Sequence, residues 1–353
     1  MGSFRGMAHS AISQRLVACL LNVSEARKKE LVETVARAAV FDSNGGRREG
    51  TTVLNIFNDL DYNRSVITIV ASIDCIKEAV LSACEQACRL IDMSAYAGGH
   101  PTMGAVDLVP LYPLGEEVGL GDCAKEARGC RKRNRFESDM HAFWTVAAGL
   151  TERVSGTSAF FFGWADSPQH RGLAQRRKEM GWFRKNPDTG AIRPDVGPLP
   201  QKRYGLTGIG ASPYVMNCNV TIDTQDLALG RSIAMSIRES TPGGIPGVQV
   251  LALPHEGAVE IACNVESMKG NPPSQVGERG GPWPTFSIGG QLYCHAPASL
   301  ITARVAELAG RQGVATKGTA LVGFTPHECR GLAERALSLG IAEFWKELRR
   351  LHM

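Results

Sequence analysis

An α+β fold built from two similar halves is what the sequence predicts, on three observations. In the first third of the chain the segments run strand, helix, strand, strand, helix, strand. The same order returns beyond a Pro- and Gly-rich stretch at 186–210. The chain has 353 residues with 43% apolar content, enough to bury one or two substantial cores. That order is the split βαβ, or ferredoxin-like, arrangement. Two such subdomains side by side enclose a ligand cleft with two rigid walls.

Leu16–Leu21 is an apolar run of strand length, and Arg27–Val40 carries Leu31, Val32, Val35, Ala38 and Ala39 at helical spacing. Thr51–Phe57 and Ser65–Ala71 are rich in β-branched residues, and the Asn/Asp content of Asn58–Arg64 between them is that of a hairpin loop. A helix is predicted over Asp74–Met93, with Ile76, Ala79, Val80, Ala83, Ala87, Leu90 and Ile91 on one stripe. Ala105–Leu111 then reads as a buried strand.

In the second half, Tyr214–Ile222 reads as a strand and Asp226–Glu239 as a helix. Val248–Leu253 and Ala258–Val265 form a strand pair across Pro254–Gly257, followed by a helix over Pro297–Arg311 and a strand over Val314–Val322. An amphipathic helix over Pro326–Leu351 closes the chain. The expected organisation is a flexible N-terminus at 1–15, a first subdomain at 16–195 and a second at 196–353. A basic, then aromatic insertion near 130–144 interrupts what is otherwise one helix over Asp122–Val154. A Gly/Pro-rich surface excursion lies near 269–293.

Composition excludes several classes. Thirty-nine basic against 35 acidic residues give a net charge of +4, too small and too evenly spread for a dedicated nucleic-acid binder. An RNA-binding ferredoxin-like module places aromatics on its central strands, and Ser65–Ala71 has none. No apolar run approaches the length that crosses a bilayer. Ten scattered cysteines, without Cys-x-x-Cys or zinc spacing, point to a reducing compartment and no metal; Cys84 and Cys88, four apart, read as buried free thiols. The expected location is cytoplasmic. Arg5, Arg15 and several serines ahead of the first acidic residue, Glu25, leave an organellar or Golgi-associated alternative.

The most informative stretch for chemistry is Tyr96–Gly104. Gly98 and Gly99 admit close approach of a ligand, and Pro101 pushes His100 towards an extended backbone. Such a histidine can serve as a general base oriented by Asp107, or it is a loop residue without a role. Gly208-Ile209-Gly210 lacks the third glycine and the following helix of a dinucleotide site. His255, His295 and His327 read as turn or cap residues. Arg64, beside Asn63, can meet a carboxylate as a fork, and Lys202 and Arg203 can serve an acidic ligand or merely water.

Leu16–Glu25 (LVACLLNVSE), Asn63-Arg64, Ala87–Asp107 (ACRLIDMSAYAGGHPTMGAVD), Asp195-Val196-Gly197-Pro198 and Cys218-Asn219-Val220 together resemble the glutamate formiminotransferase family, the N-terminal part of formiminotransferase-cyclodeaminase. The resemblance covers most of Leu16–Leu337. It implies transfer of a formimino group from N-formimino-L-glutamate to N5 of tetrahydrofolate, a co-substrate, without metal. The family's catalytic histidine falls on His100. Substrate and folate contacts fall on Asn63, Arg64, Gly99, Gly104, Asp107, Gly197, Pro198, Lys202, Arg203, Tyr204 and Gly205. Family analogy points to a homodimer acting on small molecules. Two positions depart from the pattern: Thr102 stands where the family has arginine after His-Pro, and Phe57 replaces a strand-end carboxylate, with Asn58 and Asp59 following. These departures support an alternative, a catalytically silent relative that binds folate or an acidic metabolite and acts through partners.

Overall fold

The apolar and β-branched runs at the start of the chain become strands β1 (Leu16–Val23), β2 (Thr51–Asp59) and β3 (Arg64–Ser72), with helix α1 (Lys29–Val40) between the first two. These and all later elements come from a computed structural model that describes residues 15–128, 145–182, 192–273 and 282–351. The protein is a mixed α/β chain of two units. One runs up to Ser212 and resumes at Arg330; the other is Pro213–Cys329.

In the first unit, α2 (Ile73–Leu90), β4 (Val106–Pro113), α3 (Leu120–Arg128), α4 (Val146–Arg153), β5 (Ala159–Gly163), α5 (Leu173–Glu179) and β6 (Thr207–Ala211) follow β3. The sheet order is β2-β3-β1-β4-β6-β5, antiparallel from β2 to β4 and parallel from β4 to β5. Helix α2 begins with Asp74 and ends with Arg89, charges that complement the helix dipole. Its buried stripe is mostly small, Ala79, Ala83, Cys84 and Ala87, which lets the helix lie close to its neighbours. Val32, Val35, Ile76 and Val80 are fully buried in the same core, each contributing about 1.5–3 kcal/mol relative to exposure. Strand β4 reads VDLVPLYP and is buried throughout, as expected for a strand with a parallel neighbour; Asp107 is its one ionisable carboxylate. Beside it, Leu108, Phe160, Phe162 and Leu206 pack with Met180 and Ile192 as a separate cluster.

The second unit holds β7 (Val215–Ile222), α6 (Leu227–Ile237), β8 (Val248–His255), β9 (Ala258–Glu266) and, further on, α7 (Ala298–Gly310) and β13 (Thr316–Val322), in an antiparallel sheet ordered β13-β7-β9-β8. The β8–β9 turn is Glu256-Gly257, both at positive φ (48° and 72°), the geometry that suits a two-residue hairpin. Helix α6 starts at Asp226, whose carboxylate accepts the N–H groups of Ala228 and Leu229.

Three expectations change. The 186–210 stretch does not run as a connector to its end: Gly208-Ile209-Gly210 is the middle of buried strand β6, paired on one side with β4 and on the other with β5. The 269–293 excursion contributes β10 (Met268–Lys269), β11 (Thr285–Ile288) and β12 (Gln291–Cys294), a small sheet whose Cys294, with Trp283, joins the second unit's core. The closing helix is two helices, α8 (Pro326–Ser338) and α9 (Phe344–Leu351). Between them Gly340, at φ 69°, ends α8: its N–H reaches the Leu337 carbonyl and that of Ile341 the Ala336 carbonyl. The helix expected over Asp122–Val154 is represented by α3 and α4, with Cys130–Trp144 outside the described residues. Cys84 and Cys88 are buried free thiols on α2, pushed upward in pKa by burial.

Candidate active site

A register shift in the β1–β4 pairing lies where Asn22 opposes Leu108 and Val23 opposes Val106, so Asp107 has no partner residue across the ladder. Bulges of this kind redirect one side chain out of the alternation. The Asp107 carboxylate, 3% exposed, gathers three donors from three other segments. Arg64, the first residue of β3, donates from Nη1 to Oδ2 at 2.5 Å; Arg177 of α5 donates from Nη2 to Oδ2 at 3.2 Å; the Met103 N–H donates to Oδ1 at 2.8 Å. The second Arg64 nitrogen donates to Asn22 Oδ1 at 2.9 Å. The hairpin that presents Arg64 turns at Asn63, a non-glycine residue at φ 49°. The Asn63 Oδ1 accepts the Ala26 and Arg27 N–H groups at 2.9 and 3.3 Å, which anchors the turn to the segment after β1.

His100 is half-buried, with Nδ1 2.7 Å from its neighbour's carbonyl, Pro101 O. A carbonyl only accepts, so Nδ1 carries the proton in the neutral ring and Nε2 keeps the lone pair. Tyr62 meets the ring edge-on at 5.1 Å between centroids and Trp182 at 5.9 Å, at 66° and 65°. After the histidine in the same loop, the Gly104 carbonyl accepts from Ser24 Oγ at 2.7 Å, and the Thr102 hydroxyl lies 2.7 Å from that Oγ. The loop then pairs with the 201–207 stretch. Gly104 and Gly205 form an antiparallel bridge, Leu206 N–H reaches Met103 O and Ala105 N–H reaches Tyr204 O. Gly205 sits at φ 69°, and a Cβ there would stand 1.9 Å from Met103 O, so no side chain fits this crossing.

Enclosure by protein, then the Arg64 charge, hold the His100 imidazolium far below the usual histidine range, against the opposite pull of Asp107. The ring is therefore neutral at physiological pH. Burial alone would raise the Asp107 carboxyl, but Arg64 and Arg177 outweigh it and bring it down to about 2. For Arg177 burial is the larger influence and lowers it to about 10, which still leaves it charged at neutral pH. The arrangement is a neutral imidazole with a free Nε2, next to two fixed cations sharing one anion. It can take a proton from an incoming nucleophile and offers positive potential to an acidic ligand.

Of the residues singled out from the sequence, Arg64, Asp107, His100, Asn63 and Gly104 thus lie in one connected network. Gly99 belongs to the same loop and donates its N–H to Asp61 O. Tyr204 and Gly205 reach it by backbone pairing. Arg203 is turned elsewhere, ion-paired to Asp92 at 2.7 Å and bonded to the Arg89 carbonyl at the end of α2. Lys202 is exposed. Gly197 and Pro198 are exposed and follow Val196, which bridges to Ala159 at the start of β5. Thr102 spends its hydroxyl on Ser24, while Asn58 and Asp59, after Phe57, hold the hairpin through Ser65 Oγ and the Tyr62 N–H. Sequence reasoning did not find Asn22, Ser24, Tyr62, Arg177 or Trp182. Arg177 lies in LAQRRKE, which reads as a solvated helix because the acid that buries it is 70 residues away. Among the described residues no three His, Cys, Asp or Glu side chains stand together as a metal site, and no helix is long and apolar enough to cross a membrane.

Residues 16–212 match the family model described as formiminotransferase domain, N-terminal subdomain. The chain is 29% identical over 260 residues to glutamate formimidoyltransferase of Thermoplasma acidophilum, covering 73% of this chain and 78% of that protein. It is 28% identical over 285 residues to a formiminotransferase cyclodeaminase-like protein of Arabidopsis thaliana, covering 75% and 85%. Against formimidoyltransferase-cyclodeaminase of Gallus gallus the identity is 29% over 269 residues, covering 73% of this chain and 45% of that longer protein. The match spans β1 to β6, including every residue of the Asp107 network, and the chain belongs to the formiminotransferase family.

Proposed function

We propose that the protein transfers a formimino group from N-formimino-L-glutamate to N5 of tetrahydrofolate, with His100 as the general base. The observation that carries this reading is the Nδ1–Pro101 contact, which leaves Nε2 of a neutral ring as an acceptor. N5 of the pterin attacks the formimino carbon, and the proton that appears on N5 passes to Nε2. The glutamate nitrogen then leaves with that proton as the C–N bond breaks, and the imidazole returns to its neutral form. Both reactants are acidic, and Arg64 supplies positive potential that favours them. An anionic group placed beside His100 raises the ring's affinity for a proton, so the substrate itself strengthens the base.

Relatives named glutamate formimidoyltransferase support the transferase reading. By the same resemblance we read the fold as built of split βαβ subdomains, and the protein as a cytoplasmic homodimer of one-carbon and histidine metabolism. The test mixes purified protein with formiminoglutamate and tetrahydrofolate and follows the absorbance of the formimino-folate product. His100→Asn is expected to abolish turnover and spare folate binding. Turnover indifferent to that change contradicts the mechanism, and folate binding without turnover in the parent protein supports the silent alternative.

A further inference from the structure

We propose that Arg177 is a positioning residue for His100: seated between the Asp107 carboxylate and the Trp182 indole, it holds the aromatic wall against which the imidazole stands. This rests on the role proposed above for His100.

The placement is built into the end of α5. Gly181, at φ 79°, donates its N–H to the Lys178 carbonyl, and Trp182 donates to the Arg177 carbonyl, the bonding pattern of a helix closed by a left-handed glycine. In that pattern the residue after the glycine folds back over the residue five positions earlier. Here those two are Trp182 and Arg177, and the guanidinium carbon lies 4.5 Å from the indole centroid. The indole edge then meets the His100 ring at 5.9 Å. On its other side the guanidinium donates to Asp107, the carboxylate that already holds Arg64 and, through the Met103 N–H, the strand end of the His100 loop.

A packing role alone does not account for an arginine here. Asp107 is already neutralised by Arg64, so a second buried cation on the same oxygen costs desolvation that an apolar side chain of similar length avoids. What the arginine adds is a planar, charged face for the indole and a second cationic donor on the carboxylate. The charged and titratable groups acting most on the imidazole are Arg64 from β3, Asp107 from β4 and Arg177 from α5. Tyr96, in the histidine's own loop, is influenced by the same Arg64 and Asp107.

The test reads the His100 ring directly by nitrogen NMR in the full-length protein, beside steady-state kinetics. Arg177→Met is expected to mix the two neutral tautomers and let the ring protonate at higher pH, since a cation is removed. It is expected to lower kcat about 10–100-fold with KM changed by less than about threefold. Arg177→Lys keeps the charge, so the protonation pH stays, while kcat remains reduced because the planar stack is gone. Trp182→Leu leaves the Asp107 ion pairs in place and reproduces the tautomer mixing and the kcat loss, and it carries the test if Arg177→Met does not fold. Folded variants at both positions that keep the parental tautomer and kcat overturn the proposal. If the parent protein transfers no formimino group, the NMR comparison still decides: altered tautomers support the positioning role, and unaltered ones refute it.

Discussion

Replacing Asp107 with asparagine removes the single negative charge that two buried arginines share. The carboxylate accepts from Arg64 at 2.5 Å, Arg177 at 3.2 Å and the Met103 N–H at 2.8 Å. An asparagine retains one acceptor oxygen and turns an NH2 group towards donors, so two guanidinium groups are left in a buried site without an anion. Breaking a buried pair in this way costs about 3–5 kcal/mol, a large part of a total stability of about 5–15 kcal/mol. Acid titration gives a second measure. The Asp107 carboxyl falls from 3.8 to about 2 on folding, a difference that corresponds to about 2–3 kcal/mol. Because the folded value is the lower one, this stability is complete above the unfolded pKa and is lost as pH falls from about 4 towards 2. Urea unfolding followed by circular dichroism measures both effects. Asp107→Asn should lower the midpoint strongly at pH 7 and remove this part of the acid dependence below pH 4. In its background Arg177→Met should cost less than it does in the parent. A loss under about 1 kcal/mol, with an unchanged acid profile, would refute the description of Asp107 as the charge that joins β3, β4, α5 and the histidine loop.

Gly205→Ala is expected to destabilise the first unit by more than about 3 kcal/mol, because the φ of 69° is compounded by the Met103 carbonyl 1.9 Å from the new Cβ. Gly340→Ala has the same φ but its nearest neighbour is the flexible Arg47 guanidinium at 3.1 Å, so a cost of only about 1 kcal/mol is expected from the same unfolding measurement. Ser24→Ala removes the bond to Gly104 O and leaves the Thr102 hydroxyl without its Ser24 partner. A stability loss of about 1–2 kcal/mol should come with faster amide exchange across 100–104, and exchange that stays at the parental rate would argue against a clamp.

The first sheet was readable as far as its strands repeat β-branched residues and its helices repeat an apolar stripe, because those periods follow from local geometry. Strands β5 and β6 escaped that reading. TGIGA is short, with glycine at two of its five positions, and it is a strand only because Gly208 and Gly210 leave room for the Phe160 and Phe162 rings of β5, which would otherwise lie 2.8 and 2.6 Å from a Cβ. Such complementarity exists between distant segments and leaves no local period. The site divides in the same way. Gly-Gly-His-Pro announces His100 from its own neighbours, whereas Arg177 and Trp182 join it only through a carboxylate and a ring supplied from elsewhere in the chain. Arg203 was a reasonable cation to expect beside an acidic ligand, yet Asp92 and the end of α2 claim it.

Strand β2 is the sheet's outer strand, and its open side is closed by a segment made far later. Val53 N–H is taken by the Ala342 carbonyl, the Thr52 hydroxyl bonds Ile341 O across 289 residues of sequence, and Trp345 is buried in the core beside them. At a ribosomal rate of about 5–20 residues per second, the nascent sheet waits about 15–60 s for that cover. Throughout that interval an uncapped row of backbone donors and acceptors is presented to other emerging chains. Recovery of native protein from expression should therefore depend on holdase chaperones more steeply than its final stability would suggest.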